Sequence, residues 1–305
     1  MKKYLIVILF VIPAGIFAQT DVEIKSHFSA LRQGIHDGNT SFLRNSAGYA
    51  GSLKEIALYF SDSSAIVRKE AFYLTRVIGE KTDDRSLRRQ VTLSLSRALW
   101  DKDPSIVTEA AQGLTRFRKE DFGRETKGNI VRRIETPGVA WGEVILLAGF
   151  LNLQDAGEEI SEKLASGRLK GMDEWNARLA LARMGDREQI AFCVKKLKSM
   201  PLNSRSLPSV VSCLVYIRQK ASIEYVFEII NSDADNCSSS NPDNPVSVPC
   251  AYKALKYLVG AVKDYPIRAD RYGEVEIEDY ERALKEVREW YKRQNNKVEI
   301  IKDTY

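Results

Sequence analysis

Histidine is almost absent from this sequence, because the 305 residues include only His27 and His36. The two lie nine residues apart, so on one helix they would point in opposite directions. A metal site that needs several histidines is therefore not expected, and the same scarcity removes most Ser-His and Cys-His nucleophile pairs. We predict a protein that is not an enzyme, with no catalytic residues, no metal and no cofactor.

Long hydrophobic runs are absent too, apart from the first eighteen residues, MKKYLIVILFVIPAGIFA. The two early lysines, the apolar run and the small residue Ala18 have the layout of a secretory signal peptide, and we predict cleavage before Gln19. The run holds about 15 apolar residues, interrupted by Pro13, whereas roughly 20 are needed to span a bilayer. The sequence thus predicts an exported bacterial protein, periplasmic or secreted, without a transmembrane segment.

Cysteine is sparse, with four residues, and an even number in an exported chain makes disulfides plausible. Cys237 and Cys250 bracket a polar segment with three prolines, which cannot form a core by itself and would gain most from a covalent link. We therefore predict this pair. Cys193 and Cys213 fall on apolar helix faces, where a buried thiol packs as a small hydrophobe. The sequence leaves open whether these two are bridged.

The net charge is modest, +5, but it is unevenly placed. Residues 64–134 contain sixteen Lys or Arg against ten Asp or Glu. This basic region fits either contact with an anionic surface or glycan, or ordinary solvated helix faces. It shows no interleaved aromatic platform for unstacked bases, and an exported chain does not meet the genome, so nucleic acid is not an expected partner.

A repeated apolar spacing is the most abundant pattern. In the stretch NARLALARMGD, the side chains of Ala177, Leu181 and Met184 lie on one helical stripe, and Gly185 ends the helix. When these three are numbered positions four, eight and eleven of a unit, the spacing occurs six times, at intervals of 31 to 41 residues. Position four is Ala71, Ala110, Leu146, Ala177, Val210 and Ala251; position eight is Thr75, Leu114, Phe150, Leu181, Leu214 and Leu255; position eleven is Ile78, Phe117, Leu153, Met184, Ile217 and Leu258. Six comparable helices are predicted.

Position seven forms a second column, which is small in five of the six copies: Leu74, Gly113, Gly149, Ala180, Cys213 and Ala254. Small side chains there let a neighbouring helix approach closely, which gives the mid-helix glycines a packing reason. The helix starts also contain N-cap signals, at Asp103-Pro104, Thr136-Pro137, Asn244-Pro245, Ser63 and Ser206.

A shorter amphipathic run precedes each of the six helices, so the repeating unit is a helical hairpin. No strand pattern competes. Hairpins that cannot bury their faces alone must stack, and we therefore predict an all-α fold, an α-solenoid of about six hairpins with helical caps. The expected layout is a signal peptide at 1–18, an N-terminal helical cap at 19–47, repeats at 48–262, and a C-terminal cap helix and tail at 263–305.

The repeat resembles the HEAT-repeat family and its armadillo-like relatives. The stretches DSSAIVRKEAFYLTRVIGE (62–80), DPSIVTEAAQGLTRF (103–117) and DEWNARLALARMGD (173–186) resemble the second helix of a HEAT unit, with its acid or proline turn and Val-Arg start. Of the six copies, only Arg68 stands at the family's arginine position. The resemblance extends over residues 48–262 and implies a scaffold whose second helices line a concave binding surface.

Position ten of the unit points away from the core, toward the side that the resemblance makes concave. In five copies it is polar or aromatic, and these residues, which we call the predicted ridge, are Arg116, Asn152, Arg183, Tyr216 and Tyr257. Arginine and tyrosine are enriched at interfaces, since each combines apolar area with fixed donors. We predict a non-catalytic scaffold or adaptor whose ridge binds a protein or an extended peptide.

Two alternatives stay open. In the first, the loop at 232–249 and the basic N-terminal half dock the chain as a structural subunit of a cell-envelope complex, since long loops in compact domains are often functional. In the second, the abundant carboxylates form an enzyme site in the groove, although the sequence offers no constellation to name.

Overall fold

The computed structural model describes residues 14–35, 38, 40–239, 246–270 and 274–305, with only the main chain for residues 14–19. Most of the predicted signal peptide, His36 and the Asn244-Pro245 signal lie outside the described residues. The chain divides into two compact units, Met1–Ala110 and Ala111–Tyr305. None of the described helices is long and apolar enough to cross a membrane.

The first unit is helical. Its elements are α1 (Ala14–Arg32), 3₁₀ turns at Ser41–Leu43 and Ser46–Gly48, α2 (Tyr49–Ala57), α3 (Ala65–Lys81), α4 (Arg85–Ala98) and the first turns of α5 (Pro104–Leu114). Helix α1 begins before the predicted cleavage site, and Gln19 lies inside it. The α1 helix packs on α2 and α3, and α3 packs on α4.

The second unit contains the remaining helices. They are α6 (Arg124–Glu135), α7 (Trp141–Leu151), α8 (Gln154–Ala165), α9 (Gly171–Met184), α10 (Arg187–Lys198), α11 (Leu207–Ile217), α12 (Lys220–Ile230), α13 (Cys250–Ala254) and α14 (Tyr280–Arg293), with 3₁₀ turns at Lys119–Asp121 and Leu255–Leu258. Two short antiparallel strands, β1 (Cys237–Ser238) and β2 (Ser247–Val248), pair within the loop that precedes α13. Helices thus dominate the described residues, and the expected all-α class is confirmed.

Helices of the second unit pack as successive pairs. Contacts join α6 to α7, α8 to α9, α10 to α11 and α12 to α13. The later member of each pair also packs on the next such helix, in the order α7, α9, α11, α13. Helix α10 also packs on α9, and α12 on α11, so consecutive helices contact each other throughout, and the solenoid arrangement stays a prediction.

The predicted apolar columns account for much of the interior. All six residues at position eight are buried, and so are fifteen of the eighteen residues at positions four, eight and eleven. The other three, Leu146, Leu153 and Met184, are partly buried. Thr75, the polar member, is fully buried and donates its hydroxyl hydrogen bond to the main-chain oxygen of Ala71 at 2.8 Å, which removes the cost of an unpaired hydroxyl.

Gly149 confirms the reason given for the small column. A Cβ atom at this position would lie 2.7 Å from the Cα atom of Ala180 and 2.6 Å from the hydroxyl oxygen of Tyr216. Helices α7 and α9 therefore approach each other closely at this point, where the two small residues Gly149 and Ala180 face each other.

The capping signals have mixed outcomes. Asp103 caps α5 as expected, because its carboxylate accepts from the main-chain N–H of Ser105 at 2.9 Å. Helix α9 ends at Gly185, whose φ of 102° only glycine adopts readily. At α3 the N-cap is Ser64 rather than Ser63, and Ser206, the N-cap of α11, makes no side-chain cap bond.

The Thr136-Pro137 prediction is wrong, since Thr136 ends α6 and α7 begins only at Trp141. The guanidinium of Arg133 donates to the main-chain oxygens of Thr136 and Val139 and holds the intervening residues in a turn. Thr136 and Pro137 therefore follow the end of α6 and do not begin α7.

The predicted disulfide is present between Cys237 and Cys250, and it closes the loop around the β1–β2 pair. Cys193 and Cys213 are both free thiols. Burial raises the pKa of the Cys193 thiol to about 12, so this side chain packs as a small hydrophobe instead of reacting.

Candidate functional site

The structure separates the five residues of the predicted ridge. Arg116 and Asn152 are exposed, and Tyr257 is half-buried. Arg183 and Tyr216, in contrast, are only 7% and 9% exposed, because another part of the chain covers them. Whether the five residues bind a partner stays a prediction.

Arg183 and Tyr216 lie together at the carboxyl-terminal ends of adjacent helices. The guanidinium carbon of Arg183 is 4.8 Å from the Tyr216 ring centroid, and Nη1 of Arg183 donates to the main-chain oxygen of Tyr216 at 2.5 Å. The Tyr216 hydroxyl donates to the main-chain oxygen of Leu146 at 2.5 Å, which ties α11 to α7. A cation is favourable at this end of a helix, because the unpaired carbonyl groups there carry partial negative charge.

Two further side chains, which the sequence analysis missed, complete the arrangement. Phe150, on α7, is fully buried, with its ring 5.1 Å from the Arg183 guanidinium carbon. Arg218 follows α11 in a left-handed conformation, with φ of 52°, and is 4% exposed. We call these four residues, Phe150, Arg183, Tyr216 and Arg218, the arginine face.

Residues 299–305, which we call the docked segment, end on the arginine face, which Thr304 and Tyr305 contact. The chain leaves α14 and reverses at Asn295 and Asn296, both with positive φ, a conformation that asparagine tolerates better than most residues. Ile300 then pairs antiparallel with Val262.

The main chain of the docked segment is held by hydrogen bonds along its length. Near Ile300, the N–H of Lys263 donates to the oxygen of Glu299 at 3.0 Å, and the N–H of Ile301 donates to the oxygen of Ala261 at 2.9 Å.

The same pattern continues toward Tyr305. The N–H of Lys119 donates to the oxygen of Asp303 at 3.2 Å, and Nη2 of Arg183 donates to the oxygen of Thr304 at 2.7 Å. These are the contacts of a bound extended peptide, in which main-chain groups supply most of the hydrogen bonds.

The aromatic ring of Tyr305 anchors the segment. Its centroid lies 5.6 Å from that of Phe150, edge to face, and 5.5 Å from that of Tyr216. The Arg183 guanidinium carbon is 6.0 Å from the Tyr305 centroid, so one cation is surrounded by three rings. Burial raises the pKa of the Tyr305 hydroxyl to about 12, and the ring is neutral at physiological pH.

Arg218 is incompletely paired. Its Nη2 donates to the main-chain oxygen of Tyr305 at 2.9 Å, with longer contacts of 3.4 Å to Thr304 Oγ1 and the oxygen of Gly260. Among the residues that the structure describes, none accepts a hydrogen bond from its buried Nε or Nη1 atom. Burial and the neighbouring Arg183 charge lower the pKa of this guanidinium to about 10, and it stays charged at neutral pH.

A third cation adds to the positive charge. Burial lowers the pKa of the Lys119 ammonium to about 8, and repulsion from Arg183 and Lys302 adds to this effect, while the Asp303 carboxylate opposes it. The Lys119 nitrogen lies 5.4 Å from the Phe150 ring centroid. No side-chain carboxylate among the described residues accepts a hydrogen bond from Arg183 or Arg218.

An open cavity of about 1070 Å³ lies elsewhere in the second unit, between α6 and the start of α8. Asn152 of the predicted ridge lines it, and so do side chains of both charge signs, including Arg124, Glu125, Arg132 and Asp155. Among the described residues, no three His, Cys, Asp or Glu side chains are grouped so that they could hold a metal ion.

The loop at 232–249 and part of the basic region also have defined contacts. Arg288 of α14 pairs with Asp233 at 2.8 Å and donates to the main-chain oxygen of Ile230. In the first unit, Arg68 forms a buried bidentate pair with Asp101 at 2.8 Å, which holds the pKa of that carboxyl below its usual range. At least this part of the excess positive charge is therefore internally paired.

Comparison of the chain with family models, curated proteins and solved structures found no match.

Proposed function

We propose that this chain is an exported, non-catalytic scaffold or adaptor that binds an extended peptide of a partner protein on the arginine face. The helix pairs are proposed to form a HEAT-like α-solenoid, and the arginine face lies where the predicted ridge passes Arg183 and Tyr216. Export as a periplasmic or secreted protein is part of the proposal, and the Cys237–Cys250 disulfide supports it, because such bonds persist in oxidising compartments.

The proposal is supported by residues 299–305, whose last two residues already lie on the face. Residues 299–305 are held by main-chain hydrogen bonds and by the Tyr305 ring, although Thr304 is 121 residues from Arg183 along the chain. A surface that holds one extended peptide in this way has the donors, the aromatic slot and the positive charge needed to hold another.

The test is selection of binding peptides from a random display library with the full chain as bait. Selected peptides are then measured against two matched variants, Lys119→Met beside the arginine face and Lys195→Met at an exposed position of α10. We expect Lys119→Met to weaken binding several-fold and Lys195→Met to leave it unchanged. Equal affinity for both variants would place the site elsewhere, and selection of no peptide would contradict the proposal.

A second candidate is a structural subunit that docks through the loop at 232–249. The disulfide and the paired strands favour it, since they hold the described ends of this loop together. Replacing residues 239–246 with a glycine-serine sequence of equal length keeps both cysteines. Loss of association with an envelope complex at unchanged thermal stability would support docking through the loop, and retained association would refute it.

A further inference from the structure

We propose that residues 299–305 are a resident ligand of the arginine face and that another peptide can displace them. The partner peptide of the face is extended, with an aromatic side chain and a neighbouring carboxylate that pairs with Arg218. This inference rests on the proposed function, because it specifies which peptides the face accepts and what regulates access to them.

The docked segment contacts the face in two ways, through hydrogen bonds and through the aromatic ring of Tyr305. Most of the segment's hydrogen bonds to the face and to Lys119 use its main-chain oxygens, as in the bonds that Thr304 and Asp303 accept, and Thr304 Oγ1 adds a longer contact to the face. Main-chain bonds carry no sequence requirement. Any extended peptide can therefore reproduce them, and the slot between Phe150 and Tyr216 selects for an aromatic residue.

The second argument is that the resident segment leaves the face unsatisfied. Arg218 is 4% exposed, yet its Nε and Nη1 donors have no partner within the part of the chain that the structure describes. A buried donor without a partner costs about 1–3 kcal/mol, and more for a charged group. A carboxylate accepts two parallel hydrogen bonds from one guanidinium, and a peptide that brings one would remove this cost.

The third argument is charge. Lys119, Arg183 and Arg218 place three cations around the segment, and Asp303 is the acidic side chain that acts on two of them. These cations are largely withdrawn from water. Interactions between charges are stronger in the less polar protein interior than in water. An acidic peptide is therefore the chemical class that this face favours.

The resident segment sets a threshold for any competitor. Tethered to the same chain, it acts at an effective concentration on the order of millimolar. A free peptide can bind only those molecules whose arginine face is open. Its apparent Kd is therefore the intrinsic Kd divided by the open fraction. Weakening the resident contact should therefore tighten the binding of a free peptide without any new contact.

The experiment uses three full-length chains: wild type, Tyr305→Ala, and Tyr280→Ala. Tyr280 is an exposed tyrosine, with its ring 5.8 Å from that of Tyr252 rather than on the arginine face, and its variant is the matched control. The probe is a fluorescent synthetic peptide with the sequence of residues 299–305, titrated by anisotropy. We expect the Tyr305→Ala chain to bind it at least tenfold more tightly than the other two chains.

A second pair of probes tests the carboxylate. Thr304 Oγ1 lies 3.4 Å from Nη2 of Arg218, so a Thr304→Glu peptide places a carboxylate near the unpaired donors, and a Thr304→Gln peptide has nearly the same shape without the charge. We expect the Glu peptide to bind the Tyr305→Ala chain at least fivefold more tightly than the Gln peptide at low salt. Equal affinities would overturn the acidic part of the proposal.

Displacement is measured directly in the wild-type chain, which removes any doubt about the folding of a variant. Excess Glu peptide should speed hydrogen exchange at the Ile301 amide, which donates to Ala261 in the docked state. Unchanged exchange in the presence of bound peptide would overturn the proposal, as would equal affinity of all three chains for the first probe.

The outcomes also separate this inference from the proposed function. Library-selected peptides that bind while the Ile301 amide stays protected would refute a displaceable ligand and leave peptide binding intact. Failure of both designed and selected peptides to bind would refute both.

Discussion

Replacing Gly149 with alanine tests the close approach of α7 and α9. The added Cβ atom would lie 2.7 Å from the Cα atom and 2.8 Å from the Cβ atom of Ala180, and these neighbours belong to another helix that cannot simply rotate away. Forcing an extra methyl group into a packed interior costs about 1–3 kcal/mol. The substitution also threatens the hydrogen bond from Tyr216 to Leu146, which is worth about 1 kcal/mol.

Alanine has a higher helix propensity than glycine, by about 1 kcal/mol. The sign of the change in the free energy of unfolding therefore shows whether the steric clash or the helix propensity dominates. Gly128 in α6 provides the matched control, because no atom lies within 4 Å of a Cβ built there. We expect Gly149→Ala to lower the free energy of unfolding by about 1–3 kcal/mol and Gly128→Ala to raise it by up to about 1 kcal/mol.

Urea unfolding followed by far-ultraviolet circular dichroism and by tryptophan fluorescence measures both variants against wild type. If Gly149→Ala is as stable as Gly128→Ala, the two helices do not meet as closely as described, and the packing role of the small column is refuted.

Three further predictions concern charge and cross-linking. Lys119→Met should raise the free energy of unfolding at pH 7 by about 1–2 kcal/mol after allowance for partial exposure. Because the folded pKa of about 8 lies below the ordinary 10.5, the unfolded state binds more protons between these values, and wild-type stability should rise with pH there while that of the variant does not. Replacing Cys237 and Cys250 together with serine should cost about 3 kcal/mol, because it frees a loop with a sequence separation of 13 in the unfolded chain. Asp101→Asn should cost about 3–5 kcal/mol by leaving Arg68 buried without its counter-charge. Since the pKa of Asp101 is lowered in the folded state, the stability it supplies is present above the ordinary value near 4 and lost as the pH falls through the lowered one.

Urea titrations from pH 3 to pH 10 measure all three effects. A Lys119→Met chain less stable than wild type at pH 7 would contradict the repulsion around the arginine face. Unchanged stability of the double serine variant would mean that the loop is already constrained without the disulfide. Equal acid sensitivity of wild type and Asp101→Asn would show that other carboxylates govern unfolding at low pH.

Local spacing was enough to predict the buried faces and five of the six repeated helices, whereas the sixth is the short α13 followed by a 3₁₀ turn at Leu255–Leu258. The residues at position eight are all buried because steps of four and three residues keep them on one stripe, whatever follows later in the chain. The small column likewise predicted the approach at Gly149, since the clash of a Cβ with Ala180 depends on two neighbouring copies of the same pattern.

The arginine face could not be predicted in the same way. Helix periodicity correctly separates Arg183 and Tyr216 from the stripe of their own helices, but it contains no information about residues 299–305, which bury both. Arg218 follows the last residue of its helix, where the periodic pattern stops. The one local signal was the apolar pair Ile300 and Ile301 after a polar turn, which indicates that this stretch docks somewhere without saying where.

The 121 residues between Arg183 and Thr304 have a consequence for biosynthesis. At roughly 5–20 residues per second, α9 leaves the ribosome on the order of ten seconds before the segment that covers it has been made. During that interval Tyr216 and the two arginines are without their cover. Each newly made molecule therefore passes through a stage at which residues 299–305 are not yet available to cover the face.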